Sequence, residues 1–171
     1  MFQLGDLVVY HTTGVCRVEA VTTPNMSGAD RNKLYYQLKP LQQDGVIYCP
    51  VDNPKVRIRP VISQEEALAL IDLIPSIHAE ACHAPTLQAL AQWYQAAVHS
   101  SNCRDLLEMM MSIHAKQQQA ETQKRRLGLV DERYMKQAER LLHGELAAAL
   151  DIPFESVPEY IARRVGTPET L

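Results

Sequence analysis

The 171-residue sequence has no run of about 18 apolar residues, so no segment of it reads as a membrane-spanning helix. No C-x-x-C pair occurs. Cys16, Cys49, Cys82 and Cys103 stand well apart. In a cytosolic chain of this length they read as small buried hydrophobes rather than a disulfide framework. A Gly-rich phosphate loop, G-x-S-x-G and H-E-x-x-H are all missing, so the common signatures of phosphate cradling, serine nucleophiles and zinc proteolysis are not there. The start, MFQLGDLVVYH, has no basic n-region and no clean apolar stretch. It does not read as a secretory leader, and a cytoplasmic protein is expected. There is also no strongly basic body. Residues 1–62 carry seven Lys/Arg and five Asp/Glu, a net +2, and the remainder carries ten and fifteen, a net −5. A protein that binds DNA tightly alone needs a larger excess, so any nucleic-acid contact must be a local patch or be held in place by another partner.

What is there is enough to bury a core, since 46% of the residues are hydrophobic. The stretch GDLVVYHTTGVCRVEAV, residues 5–21, reads as two short strands with a turn between them. Strand candidates continue to residue 59: 6–10, 15–23, 33–40, 45–50 and 56–59, rich in Val, Tyr, Ile and Leu. Thr13-Gly14, Pro24–Gly28, Gln43-Asp44-Gly45 and Asp52-Asn53-Pro54 supply the turns, with Asp44-Gly45 a good hairpin signal. Five short strands in sixty residues predict a small barrel of SH3 or Tudor type. The expected domain spans residues 1–62.

From residue 63 the pattern is helical. Pro60 and the capping box Ser63-Gln64-Glu65-Glu66 mark the change. Helices are predicted from there to about Ile74, stopped by Pro75, then over 86–99, 103–121, 131–150 and 155–164. Residues 76–85 read as a connection with one loose turn, and residues 75–85 as a hinge candidate between the domains. Tyr134, Ala138, Leu141, Leu142, Leu146 and Ala149 recur at helical spacing and define a buried face. Asn102 and Asp131 stand where caps are wanted. VGTPETL reads as a mobile tail. The fold class is therefore α+β, a small β-barrel followed by an all-α domain over 63–171.

Several side-chain groups allow two readings each. His78 and Cys82 are four apart with His83 adjacent, so on a helix they could share a metal; no second ligand pair follows, and an ordinary linker is the plainer reading. Met109-Met110-Met111 is helix core sooner than a cofactor box. Trp93, the only tryptophan, is either packed between helices or an exposed group for nucleic acid. Arg133, Lys136, Arg140 and His143 fall at steps of three, four and three, opposite the apolar stripe, with Lys124, Arg125 and Arg126 just before them. Such a stripe is either a solvated helix face or a phosphate-contacting one.

The order of motifs carries a family resemblance. F-x-x-G-D-x-V-V-Y-x-x-x-G-V at the start, then YYQLKP, IYCPVDN and RPVIS, and finally YMKQAERLLHGELAAALDIP, resemble the CarD/CdnL family of bacterial transcription regulators over nearly the whole chain. The first module is shared with transcription-repair coupling factor, but this chain is too short for the helicase that follows it there. The resemblance implies a Tudor-like module that binds the β subunit of RNA polymerase at its protruding lobe. It implies a helical domain that meets promoter DNA at the upstream edge of the transcription bubble and stabilises the open complex. No reaction, catalytic residue, cofactor or metal is implied, and no membrane or small-molecule substrate. DNA contact, by the minor groove, would be weak alone and aided by the tether to polymerase.

Two family features are altered. The position of the family's wedge tryptophan aligns near Thr86 or Leu87, and Trp93 lies about two turns further on. Leu87 serves as an apolar wedge, or Trp93 has taken over, or the wedge is lost. Pro24 and Tyr48 stand where polymerase-contacting arginines are expected. The expected polymerase contacts are Thr23, Tyr35, Lys39 and Tyr48. The expected DNA contacts are Leu87, Trp93, Lys124, Arg125, Arg126, Arg133, Lys136 and Arg140. An adaptor that binds polymerase but has lost DNA is the alternative, and a small metal site on His78, Cys82 and His83 is a third reading.

Overall fold

Alternating apolar and polar residues in the first sixty positions form five strands, and the computed structural model describes residues 1–53, 55 and 57–166. The strands are β1 (Leu7–Tyr10), β2 (Gly14–Thr22), β3 (Tyr35–Pro40), β4 (Ile47–Pro50) and β5 (Ile58–Pro60). They make one antiparallel sheet in the order β4-β3-β2-β1-β5. Pro54, the beginning of the fifth predicted strand at residue 56, and the predicted tail beyond Gly166 lie outside the described residues.

β2 is the organising strand. Its first half pairs with β1 and its length pairs with β3, with a register shift between Val18 and Ala20 that leaves Glu19 as an extra residue. A bulge of this kind bends a strand and increases its twist. The bent sheet encloses Val8, Cys16, Val18, Tyr36, Leu38 and Cys49, with Phe2, Tyr10, Val21, Ile47, Val51 and Ile58 packed around them. Phe2 is pinned from outside the sheet: its amide donates to the Tyr36 hydroxyl at 3.0 Å, and the two rings meet edge-on. The β3–β4 ladder ends at Leu38 opposite Ile47. Asp44-Gly45 therefore lies in a six-residue loop, with Gly45 at φ 113°, and not in a two-residue turn. Pro40 brings no N–H with which to extend the ladder.

The second unit contains α1 (Gln64–Leu73), α2 (Leu87–His99), α3 (Cys103–Thr122), α4 (Leu129–Leu150) and α5 (Val157–Val165). Met1–Val61 and Ile62–Leu171 are separate units of structure. The capping box closes as read: the Glu66 amide donates to Ser63 Oγ at 3.1 Å, and the Ser63 amide to Glu66 Oε2 at 2.7 Å. One hydrophobic core gathers all five helices, from Ala67 and Ile71 on α1 to Val157 and Ile161 on α5. Met109 and Met110 are buried in it and Met111 is half-buried, so the methionine run is core. Asp72 on α1 and Arg164 on α5 add a bidentate pair at 2.7 and 2.9 Å on the surface.

The connection after α1 is a 3₁₀ turn, Ile74–Ser76, followed by irregular chain. It is not a hinge between the units, because it lies wholly inside the helical one. Ser112 Oγ donates to the Glu80 carbonyl at 2.6 Å, and Ile77, Cys82 and Ala84 pack on the core. No helix among the described residues is long and apolar enough to cross a membrane.

Candidate functional site

Strand alternation sorts the side chains of the sheet into two faces. In β3, Tyr36, Leu38 and Pro40 point inward, and Tyr35, Gln37 and Lys39 point outward. Register carries the outer face across three strands. Tyr35 stands between Thr22 and Pro50, Gln37 between Ala20 and Tyr48, and Lys39 opposite Arg17. Tyr35, Lys39 and Tyr48 thus share one surface, and Thr23 is exposed just past the end of β2. Pro24 is buried, so it offers no side chain to a partner.

The sequence reading missed Arg17. Alternation in β2, with Cys16 and Val18 inside, was the available signal. Arg17 and Lys39 are both exposed, and neither forms an ion pair with a described residue. Like charges directly opposite each other on paired strands repel, so this pair carries a small cost to the fold and a positive potential for a partner. Beside it, β4 pairs only with β3 among the described residues and stands at the edge of the sheet, with Leu34 and Val46 half exposed at either end of the β3–β4 pair.

In the helical unit the central feature is a buried carboxylate. Asp131 is not the cap of α4; Gly128 holds that position, and the helix begins two residues earlier than the sequence suggested. Asp131 stands at the third helical position, 3% exposed, and its Oδ1 accepts from the Tyr94 hydroxyl at 2.5 Å and from Lys116 Nζ at 3.1 Å. A buried carboxylate needs such partners, and these come from α2 and α3. Burial, reinforced by the Asp131 hydrogen bond and charge, pushes the Tyr94 phenol well above its ordinary range. Tyr94 also contacts Trp93 and Tyr134, each at 5.3 Å between centroids, and the Arg133 guanidinium lies 5.0 Å from the Tyr134 centroid.

The two wedge candidates do not share a surface. Leu87 is the first residue of α2, behind the Thr86 cap, and is 71% exposed; Trp93 is 46% exposed. Six residues at 3.6 per turn put them about 120° apart round the helix.

The basic run lies on the turn from α3 to α4. Lys124 adopts φ 55°, its amide donates to the Glu121 carbonyl at 3.0 Å, and the Arg125 amide donates to the Ala120 carbonyl at 2.7 Å. These two bonds make a Schellman motif with lysine in the left-handed position that favours glycine. Arg125, Arg126 and Lys136 line an open groove of about 520 Å³ over Leu127 and Met135, together with Glu121, Glu132 and Glu139. Lys124, Arg125, Arg126 and Lys136 make no ion pair with a described residue. Burial raises the Glu139 carboxyl above its ordinary value, and Lys136 opposes that rise.

The basic stripe ends sooner than its spacing predicted. Arg140 is half-buried, and His143 is 5% exposed among Leu70, Ile71, Leu107 and Ile161. Helices α1 and α5 cover this half of α4, so the face that is solvated near Arg133 is enclosed nearly three turns later, at His143. His143 is therefore a neutral core residue. Its Nε2 has no hydrogen-bond partner among the described residues, and burial lowers its pKa to about 4. His83 turns to Gln119, 3.2 Å from Oε1, and no three His, Cys, Asp or Glu side chains among the described residues converge as metal ligands would.

Residues 2–62, the span of the sheet, match the family model of the CarD-like/TRCF RID domain. Over this span the chain is similar to that domain family, which binds the β subunit of RNA polymerase.

Proposed function

We propose that this protein is a non-enzymatic transcription regulator that docks on the RNA polymerase β subunit and contacts promoter DNA at the upstream edge of the bubble, stabilising the open complex. The observation that carries the reading is the family match over residues 2–62. The family is generally non-enzymatic. The outer sheet face supports the docking half: Tyr35, Tyr48 and Lys39 lie together beside Arg17 and the β4 edge of the sheet. An unpaired edge accepts a partner strand by backbone hydrogen bonds, and the exposed cations favour an acidic partner.

The DNA half is supported by the helical unit. Lys124, Arg125, Arg126 and Lys136 are cations without ion-pair partners among the described residues, and Arg133 is exposed nearby. A tether to polymerase raises the local concentration of promoter DNA, so a weak contact suffices.

The test is binding of the full chain to the isolated polymerase β lobe, followed by forked promoter DNA. Tyr48→Glu puts a charge on the docking face and is expected to weaken lobe binding at least tenfold, and forked DNA is expected to tighten the assembly. A chain that ignores the lobe ends the proposal.

A second reading, an adaptor that binds polymerase without DNA, is favoured by Glu121, Glu132 and Glu139, which line the same groove as the cations. Affinity for forked DNA that is nil at low salt would select it; a phosphate contact must instead appear at low salt and fall steeply as salt rises.

A further inference from the structure

Glu145 is a carboxylate on α4 with only 2% of its surface exposed. Its two oxygens engage two distant parts of the chain. Oε2 accepts from the Cys103 thiol at 2.9 Å, and Oε1 accepts from the Ile62 amide at 3.1 Å. Cys103 is the first residue of α3, behind the Asn102 cap. Ile62 immediately precedes Ser63, the cap of α1. The carboxylate therefore lies beside the N-terminal ends of two helices, where their dipoles favour a negative charge. Hydrogen bonds to a charged acceptor are the stronger kind, and a low-dielectric interior strengthens them further.

Ile62 holds a particular place. It is the first residue of the helical unit, and Pro60, opposite Val8, is the last residue of β5. Only Val61 separates the last paired residue of the sheet from the residue that Glu145 holds. Beyond Ile62 the chain is fixed again at once. The capping box ties Ser63 to Glu66, and the Ala67 amide donates to the Ser63 carbonyl at 2.9 Å. The Ile62 side chain packs against the helical core. The capping box binds the first turn of α1 only to itself. The Glu145 bond joins that turn to α4, 83 residues further along the chain, and through Cys103 to α3.

The geometry points to Glu145 as a clamp on the helical side of the junction between the two units, so that articulation there stops at Val61. Cys103 is a positioning residue, because its thiol holds the second oxygen of the carboxylate. The clamp lies wholly within the helical unit and is independent of DNA. It keeps the segment that joins the units short, and the effective concentration set by a tether depends on that length.

The full chain, isotope-labelled for NMR, is followed by amide hydrogen exchange and backbone relaxation. In the native sequence the Ile62 amide is expected to exchange about a hundredfold more slowly than the Val61 amide, with an order parameter of about 0.85, that of rigid backbone. Glu145→Gln keeps the shape without the charge and should speed exchange at Ile62 about tenfold; Glu145→Ala removes the acceptor and should speed it about a hundredfold. The core amides of Met110 and Ile113 should change by less than about threefold in the Gln variant. Cys103→Ala removes the thiol donor and should speed exchange at Ile62 about threefold, with the bond to Oε1 retained. An Ile62 amide that exchanges as fast as that of Val61 in the native sequence overturns the clamp. So does a Glu145→Gln variant in which Ile62, Met110 and Ile113 accelerate by one common factor, because Glu145 then stabilises the helical unit as a whole. Should Glu145→Ala fail to fold, the native and Glu145→Gln measurements decide.

Discussion

Tyr94 and Asp131, 37 residues apart on α2 and α4, are joined by a buried hydrogen bond of 2.5 Å, and Lys116 completes the group from α3. Removing the carboxylate leaves a hydroxyl and an ammonium without their partner in a protein interior. Asp131→Ala is therefore expected to destabilise the chain by about 3 kcal/mol, and Tyr94→Phe by about 1 kcal/mol, in urea unfolding followed by far-UV circular dichroism. The double variant should cost clearly less than the two losses together, since both act on one contact. Additive losses would mean that the two side chains are energetically independent.

Lys124 occupies the left-handed position that ends α3, at φ 55°. A side chain there carries a steric cost that glycine avoids. Lys124→Gly should raise stability by about 1 kcal/mol while lowering affinity for forked DNA and its salt dependence. A gain in melting temperature with unchanged DNA affinity would mean that the strained lysine does not serve DNA contact.

Much of this architecture was legible before the structure. The capping box, Pro75 and the 3.6-residue repeat of α4 each act locally, and each holds. The tertiary exceptions were not legible. A basic residue every three or four positions describes a stripe, but only packing decides how far it stays wet, and α1 and α5 close over the half that holds His143. Asp131 looked like a cap because Asp is common there; nothing in the sequence says that Tyr94 and Lys116 meet it. The outer face of the sheet could be read once β3 was placed, yet Arg17 needed the register with Lys39, which the bulge at Glu19 shifts further along β2.

His143 makes stability depend on pH. Its folded pKa of about 4 lies below the ordinary value of 6.5, because burial penalises the charged ring. The unfolded chain takes up a proton near pH 6.5 and the folded chain does not until about pH 4. The contribution of the neutral ring is therefore complete above pH 6.5, declines as pH falls towards 4, and changes no further below that. The full loss is on the order of 3 kcal/mol. His143→Leu should flatten the pH 4–6.5 part of a melting-temperature profile, and an unaltered slope would place the titrating group elsewhere.

Arg17 and Lys39 face each other across β2 and β3 with like charge. Lys39→Glu turns that repulsion into attraction, so the sheet should gain a few tenths of a kcal/mol in chemical denaturation. The same change removes a cation from the proposed docking face, and association with the polymerase β lobe should slow and weaken about tenfold at low salt. Stability and binding move in opposite directions here, so weaker binding cannot be ascribed to unfolding. Arg17→Glu tests the other half of the pair with the same two readouts. The double exchange restores like charge, now negative, and should bind worst of the three. Lobe affinity unchanged in all three variants would show that docking does not use this face, and would direct attention to the β4 edge of the sheet, which a proline in place of Tyr48 would block.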